Sequence, residues 1–427
     1  MQQYLSKIAL SAVLAAGLLN LASCALERTE SATAPPAVEN LAPDQPARRY
    51  KIEAKDLPAP YSTTSASRSA RIIAQPANAR LQLPAGFRAD VYADGFDTPR
   101  IMQIAPNNDV FVADSGANKI IVLRDKNGDG KADERFTFAE NLNQPFGIAF
   151  RDKFVYVANT DSVVRFAYQP GQTRASDRGE KIIDLKSGGY NNHWTRNLIF
   201  SPDGKKLYLS YGSSGNVEPE RDARRAAINE YDPDGGNHRI FASGIRNPVG
   251  LAFNPTTKEL WTAVNERDGL GDDLVPDYAT SVRDGAFYGY PFSYMGQNED
   301  PRRKGENPEL VKKAIVPDVL IQAHSAALGI QFYTGKMFPA EYQGDAFVAL
   351  HGSWNREKLT GYKIIRIRFK DGKPVDNGYE DFLTGWLPNE NSREVWGRPV
   401  GLLVLPDGSM LVSDDGANKI WRVTYAR

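Results

Sequence analysis

The chain has 427 residues, and its 52 Lys and Arg balance its 52 Asp and Glu to a net charge of zero. That balance argues against a basic nucleic-acid binder or a strongly cationic membrane-surface protein, while 41% hydrophobic residues suffice for a packed core. A single cysteine excludes an intrachain disulfide framework and any cysteine-based zinc cluster, and four histidines leave few candidates for histidine chemistry.

Residues 1–24 read as an address. Lys7 gives a weak positive start, and an apolar run extends from Ile8 to Ala22. That run suits a signal segment and is short for a spanning helix. It ends in Leu21-Ala22-Ser23-Cys24, which resembles a bacterial lipobox, the cysteine of which is lipidated. A plain secretory signal with an incidental cysteine is the alternative. Ala25, not Asp, follows Cys24, which by analogy favours the outer membrane. The expected location is the periplasmic side of that membrane, with contact only through acyl chains, or the exterior.

Residues 25–69, rich in Pro, Ala, Ser, Thr and Glu, show no apolar period. The expectation is a flexible tether, with the folded domain over 70–427.

Six related units follow: 98–123, 144–166, 195–216, 247–269, 327–354 and 398–423. Each is a short apolar strand, a turn rich in Pro, Gly and Asn or Asp, and an alternating second strand. The first and last share the string D-x-G-A-N-K-I. Short strands at this period, with no amphipathic helix between them, read as an all-β, six-bladed β-propeller. An open pair of β-sandwiches or a seven-bladed ring is the alternative. Residues 70–96 are expected to supply the outer strand that closes the ring on the last unit.

Aligning the units on Pro106, Pro202, Pro255 and Pro406 makes His193 and Arg246 equivalent residues of adjacent blades. Arg398 falls one position later on the same rim. Three ionisable groups entering one channel mouth form a polar site, not a core. His193, in GGYNNHWTRN, is the candidate general base, against the plainer reading of a histidine bonding a loop carbonyl. Arg246-Asn247-Pro248 offers a fixed cation and amide for an anionic ligand or developing oxyanion, against a loop salt bridge. His324 and His351 are weaker candidates, and Arg356, in HGSWNREK, can equally be a hairpin charge. The loop DKNGDGKAD (125–133) resembles half an EF-hand, but Phe136 stands where the bidentate Glu belongs, and a hairpin turn explains it better. The acidic stretch 265–273 is the better place for a hard cation. No phosphate loop, G-x-S-x-G elbow or C-x-x-C-H haem site is present in the sequence.

The strings GGYNNHWTRNLIFSPDG (188–204), ASGIRNPVGLAF (242–253), NERDGLGDDLVPDY (265–278), FYGYPFSY (287–294), HGSWNR (351–356) and GRPVGLLVLPDG (397–408) together resemble the soluble quinoprotein aldose dehydrogenases, closest to the sorbosone dehydrogenase-like branch. The similarity covers roughly residues 80–425. The resemblance implies pyrroloquinoline quinone (PQQ) and Ca²⁺ at the channel mouth. It implies Arg398, Arg356 and Asn247 as cofactor contacts, His193 as the general base, and Arg246 as the cation facing the developing negative oxygen. It places Ca²⁺ ligands, as backbone carbonyls, near Glu266 and Arg267. Three departures bear on cofactor contacts and substrate: Val249 replaces a Gln, NERD replaces Gln-Gly-Pro, and Val400 replaces a second Arg. The implied partners are a small sugar and an unknown electron acceptor. A metal-dependent lactonase-type propeller and a non-catalytic propeller scaffold are the competing readings.

Overall fold

The computed structural model describes residues 47–186 and 193–426. The signal segment with Cys24 and the tether's first part lie outside the described residues, as do 187–192 just before His193.

Six antiparallel sheets, five of four strands and one of five, follow one another around a ring. Blade 1 is Pro99–Ile104, Val110–Asp114, Lys119–Arg124 and Glu134–Ala139. Blade 2 is Gly147–Arg151, Phe154–Ala158, Ser162–Ala167 and Glu180–Asp184. Blade 3 is Arg196–Phe200, Leu207–Tyr211, Ala227–Tyr231 and Arg239–Ser243. Blade 4 is Asn247–Phe253, Leu260–Asn265, Asp277–Ser281 and, after an insertion over 282–318, Val319–Ile321. Blade 5 is Ala327–Phe332, Ala346–Leu350, Lys363–Ile367 and Tyr379–Leu383. Blade 6 is Pro399–Val404, Met410–Asp414 and Lys419–Tyr425, completed by Phe87–Asp94. The first strand of each blade touches the first strand of the next, and the sixth touches the first. The fold is the six-bladed propeller that the repeats imply.

The ring closes where the sequence places the closure. Phe87–Asp94 pairs antiparallel with Lys419–Tyr425, from Phe87↔Tyr425 to Asp94↔Lys419. Phe87 anchors this strand by meeting Phe338, Tyr342, Phe382 and Tyr425 edge-on, with centroids 4.7 to 5.1 Å apart. Burying one such ring contributes about 1.5–3 kcal/mol.

Glycine sets the bore. Phe146-Gly147, Val249-Gly250, Leu328-Gly329 and Val400-Gly401 each put a glycine on a first strand, where a Cβ would lie closer than 3.0 Å to the backbone of the neighbouring first strand. The preceding side chains, Phe146, Val249, Leu328 and Val400, converge with Ile101 and Trp194 into an apolar plug. Val249 and Val400 are therefore packing residues of the channel floor.

The repeated string also has a physical role. Asp114 ends a second strand and accepts from the Thr98 N–H at 2.7 Å. Its counterpart Asp414 accepts from the Arg398 N–H at 2.7 Å. Each clamps the entry to its blade's first strand, while Asn118 and Asn418 take left-handed backbone at φ 57° and 56°.

The structure corrects the expected tether over 47–69. Arg49–Tyr50 pairs with Tyr379–Leu383 as a fifth strand of blade 5, and Tyr50 stacks on Tyr379 at 4.8 Å. Ile52, Ala54 and Leu57 pack against a buried cluster that includes Leu260 and Tyr278 of blade 4. Thr63 and Ser65 accept from the Asp272 and Gly271 N–H groups, and Arg71–Ile72 runs parallel to Glu394–Val395. The segment has no apolar period of its own because existing sheet edges and loops satisfy its backbone.

Candidate active site

The loops leading into the first strands of blades 3, 4 and 6 bring His193, Asn247 and Arg398 to one mouth of the ring. A cavity of about 800 Å³ opens there; Asn247, Val249, Arg398, His351, Trp194, Trp354 and Arg100 are among its lining residues. Val249 and Leu328 from the apolar plug also line it.

His193 and Arg246 are buried and absent from the lining, although Trp194, next to His193 in the chain, belongs to it. His193 Nδ1 is 2.8 Å from Ser213 Oγ and 3.2 Å from the Ser213 carbonyl. The Ser213 hydroxyl donates its own proton to the Gly215 carbonyl at 2.7 Å. Both Ser213 atoms are therefore acceptors toward the ring, so Nδ1 carries the proton and Nε2 the lone pair. Burial first, and the Arg246 charge second, hold His193 well below the usual histidine range. The ring is neutral at physiological pH, as a base must be. A glycine is required beside it, because a Cβ on Gly212 would collide with the Asn247 amide.

Arg246 is buried. It donates to the Asn216 carbonyl at 3.1 Å, the Asn216 side chain at 2.8 Å and the Glu266 carbonyl at 2.7 Å. Its second partner set is Asp268, 3.4 Å from Nη2. Asp268 also accepts from Asn355 Nδ2 and lies 3.7 Å from His324 Nδ1. Burial works against charge on His324, but Asp268, the Gly271 carbonyl and Asp277 together outweigh it and raise the imidazole above its ordinary value. Burial likewise raises the neighbouring Asp277 carboxyl to about 7, against backbone N–H donors from Glu266 and Ala326.

On the opposite wall, Arg398 reaches the His351 carbonyl at 3.2 Å and the Gly352 carbonyl at 3.4 Å. His351 Nε2 donates to Asp415 at 2.8 Å, and Arg100 pairs with the same carboxylate at 2.7 Å. Burial first, then Arg398, lowers His351 to about 4, so it is neutral near pH 7. Asn247 Oδ1 is buried with no hydrogen-bond partner among the described residues.

The other expected positions fall elsewhere. Arg356 is absent from the cavity lining; its guanidinium meets the Asp272 carbonyl and pairs with Asp273 at 2.6 Å. The Glu266 carboxylate is buried against Arg267 at 3.0 Å, and Arg267 also donates to the Pro291 and Ser293 carbonyls and pairs with Asp300 at 3.3 Å. The Glu266 carbonyl accepts from Arg246 Nη1, and Glu266 Oε1 is buried with no hydrogen-bond partner among the described residues. In the 125–133 loop, Asp125 and Asp133 accept from loop N–H groups, which is the geometry of a turn. Among the described residues no three His, Cys, Asp or Glu side chains converge as a metal site.

Sequence reasoning missed Arg100, Asp415 and Ser213, and read Asp268 only as part of an acidic loop suited to a cation. Arg100 was findable, because it stands at the same offset from its turn proline, Pro106, as Val400 from Pro406.

An "uncharacterized protein" of Borreliella burgdorferi is 29% identical over 372 residues, covering 84% of this chain and 94% of that one. A pyrroloquinoline quinone-dependent pyranose dehydrogenase of Coprinopsis cinerea is 23% identical over 400 residues, covering 79% of this chain; the chain spans 53% of that enzyme's length. Among solved structures, a calcium structure of the Trichoderma reesei carbohydrate-active enzyme of family AA12 superimposes with a TM-score of 0.71 at 19% identity, covering 83% of this chain and 98% of that one. The TrAA12-like family model matches residues 81–304 and 293–426. The chain belongs to the TrAA12-like family.

Proposed function

We propose that the protein oxidises aldose sugars, or related polyols and aldehydes, using PQQ held in the mouth cavity. The observation that carries the reading is one cavity that joins a cation, Arg398, and an unsatisfied amide, Asn247, with a neutral, tautomer-fixed histidine next in the chain to its lining residue Trp194. PQQ is a tricarboxylate with ring donors and carbonyls. Arg398, whose bonds to two carbonyls are long, suits a carboxylate, and Asn247 Oδ1 suits a donor. When bound, the cofactor supplies an ortho-quinone that accepts a hydride equivalent. His193 Nε2 receives the proton of the substrate hydroxyl, and Ser213 holds the ring so that this nitrogen stays the acceptor. Arg246, beyond facing negative charge, keeps His193 neutral by its own charge. The plug of Phe146, Val249, Leu328 and Val400 closes the floor against water. The reading keeps Ca²⁺ near the backbone carbonyls of Glu266 and Arg267, with no step routed through it. The lactonase reading needs several carboxylate and amide side chains on one ion, and among the described residues no three His, Cys, Asp or Glu side chains converge. The reading includes an N-terminal lipid anchor at Cys24 on the periplasmic side of the outer membrane.

The test adds PQQ, with and without Ca²⁺, to the purified chain and follows dye reduction with a panel of aldoses. PQQ-dependent reduction is expected. No PQQ binding at micromolar concentration overturns the proposal.

A further inference from the structure

We propose that Arg100 is a second anion-holding cation of the mouth cavity and grips a carboxylate of the cofactor opposite Arg398. This rests on the PQQ reading above.

Blades 1 and 6 are the same module in the same register. Pro99 pairs with Asp114 and, past a bulge, Met102 with Val112. Pro399 pairs with Asp414 and, past the same bulge, Leu402 with Val412. Arg100 and Val400 therefore occupy equivalent positions. The valine fills the apolar plug, while the arginine lines the cavity with Trp194, His351 and Arg398.

A guanidinium in this position needs a reason. Its side chain is 12% exposed, and its Nη2 pairs with Asp415 at 2.7 Å. Asp415 is shared, because it also accepts from His351 Nε2 at 2.8 Å. The Arg100 carbon Cζ lies 5.2 Å from the Trp194 ring, which braces it. Its Nε is buried with no hydrogen-bond partner among the described residues.

The charges do not cancel. Arg100 and Arg398 are two cations, Asp415 is one anion, and His351 is neutral near pH 7. Among these four groups one positive charge is left over at the cavity wall; the carboxyl of Asp414, which accepts from the Arg398 N–H, is itself pushed up by burial. Burial, and then Arg398, work against the charge of Arg100 while Asp415 supports it. A ligand carboxylate between the two guanidiniums supplies the missing anion and a partner for the idle N–H. Arg267, by contrast, meets protein acceptors with its Nε and both Nη atoms.

The experiment titrates the purified full chain with PQQ, following tryptophan fluorescence at two salt concentrations, and compares Arg100→Met and Arg100→Lys. Arg100→Met is expected to raise Kd about 10- to 100-fold and to flatten its salt dependence, with Arg100→Lys between it and the parent. Circular dichroism checks the fold; if Arg100→Met fails to fold, Arg100→Lys alone must weaken binding. Parent binding with both variants unchanged overturns the role of Arg100 and leaves the PQQ reading intact. No binding by the parent overturns both.

Discussion

Arg68 donates from Nη1 to both the carbonyl and the carboxylate of Glu357, each at 2.7 Å. Its Nη2 reaches the Asn391 carbonyl at 2.7 Å, and its backbone N–H the Trp354 carbonyl at 2.6 Å. One side chain therefore ties the N-terminal strap to two loops, and Ser69 and Ala70 just beyond it form part of the cavity wall. The strap precedes the residues matched by the family model. Arg68→Ala removes charged hydrogen bonds worth about 1.5–3 kcal/mol when buried. Side-chain exposures of 26% and 71% reduce the worth of the Arg68–Glu357 pair. The expected result is faster hydrogen exchange of the Arg71 and Ile73 amides, by about tenfold, with blade amides unchanged. Equal exchange in parent and variant contradicts the clamp.

His193 and Ser213 define a second test. His193→Ala is expected to keep the cofactor and lose turnover by about 10²- to 10⁴-fold. Ser213→Ala deletes the hydroxyl acceptor but keeps the carbonyl, so a smaller loss, about tenfold, is expected. The pH profile has a definite sign. A base works only when neutral, and His193 is held below its ordinary value. The acid limb of kcat/KM therefore lies below pH 6.5, the ordinary histidine value. A limb above that pH removes His193 from the role of base.

The fold was legible because its determinants are local and repeated: strand, Pro-Gly-Asn turn, strand, with glycine where neighbouring strands meet. Asn247 and Arg398, each eight positions before its turn proline, do meet at one cavity, whereas His193 and Arg246, the pair that the alignment makes equivalent, are buried and absent from its lining. What the repeats do not encode was not legible. Arg356 looks like a rim cation, but its carboxylate partner Asp273 comes from the loop of another blade. The strap pairs with Tyr379 and Glu380, more than 300 positions away, and carries no period to announce this. Asp268 looks like one acid in an acidic loop; only packing places it between Arg246, His324 and Asn355.

That junction makes Asp268 a structural keystone of the site. Asp268→Ala leaves buried Arg246 and raised His324 without their shared carboxylate, a loss of about 3–5 kcal/mol. Thermal unfolding of the ligand-free protein is expected to show a drop of several degrees. Asp268→Asn keeps hydrogen-bond capacity and should lose less. Equal melting of parent and both variants shows that the carboxylate is dispensable.

The anchor reading has its own test. Cys24→Ser removes the only thiol in the chain. In cells fed a labelled fatty acid, the parent is expected to carry label in the membrane fraction, and the variant to be unlabelled and absent from that fraction. Equal label in both overturns lipidation at this residue.

His351 makes stability depend on pH over a defined window. In the fold its imidazole is lowered to about 4 by burial and then by Arg398, whereas in the unfolded chain it titrates near 6.5. Between these values the unfolded state binds more protons, so folding stability rises with pH across the window. The contribution is complete above about 6.5 and is lost as pH falls toward 4; its limit is roughly 3 kcal/mol for this buried group. His351→Gln keeps an N–H for Asp415 but does not titrate. Urea unfolding from pH 7 to pH 4 is therefore expected to show the parent losing stability faster than His351→Gln, with other titrating groups cancelling in the difference. Parallel curves mean that burial and Arg398 do not hold His351 below its ordinary value, which contradicts the lowered titration from which its neutrality in the fold is argued.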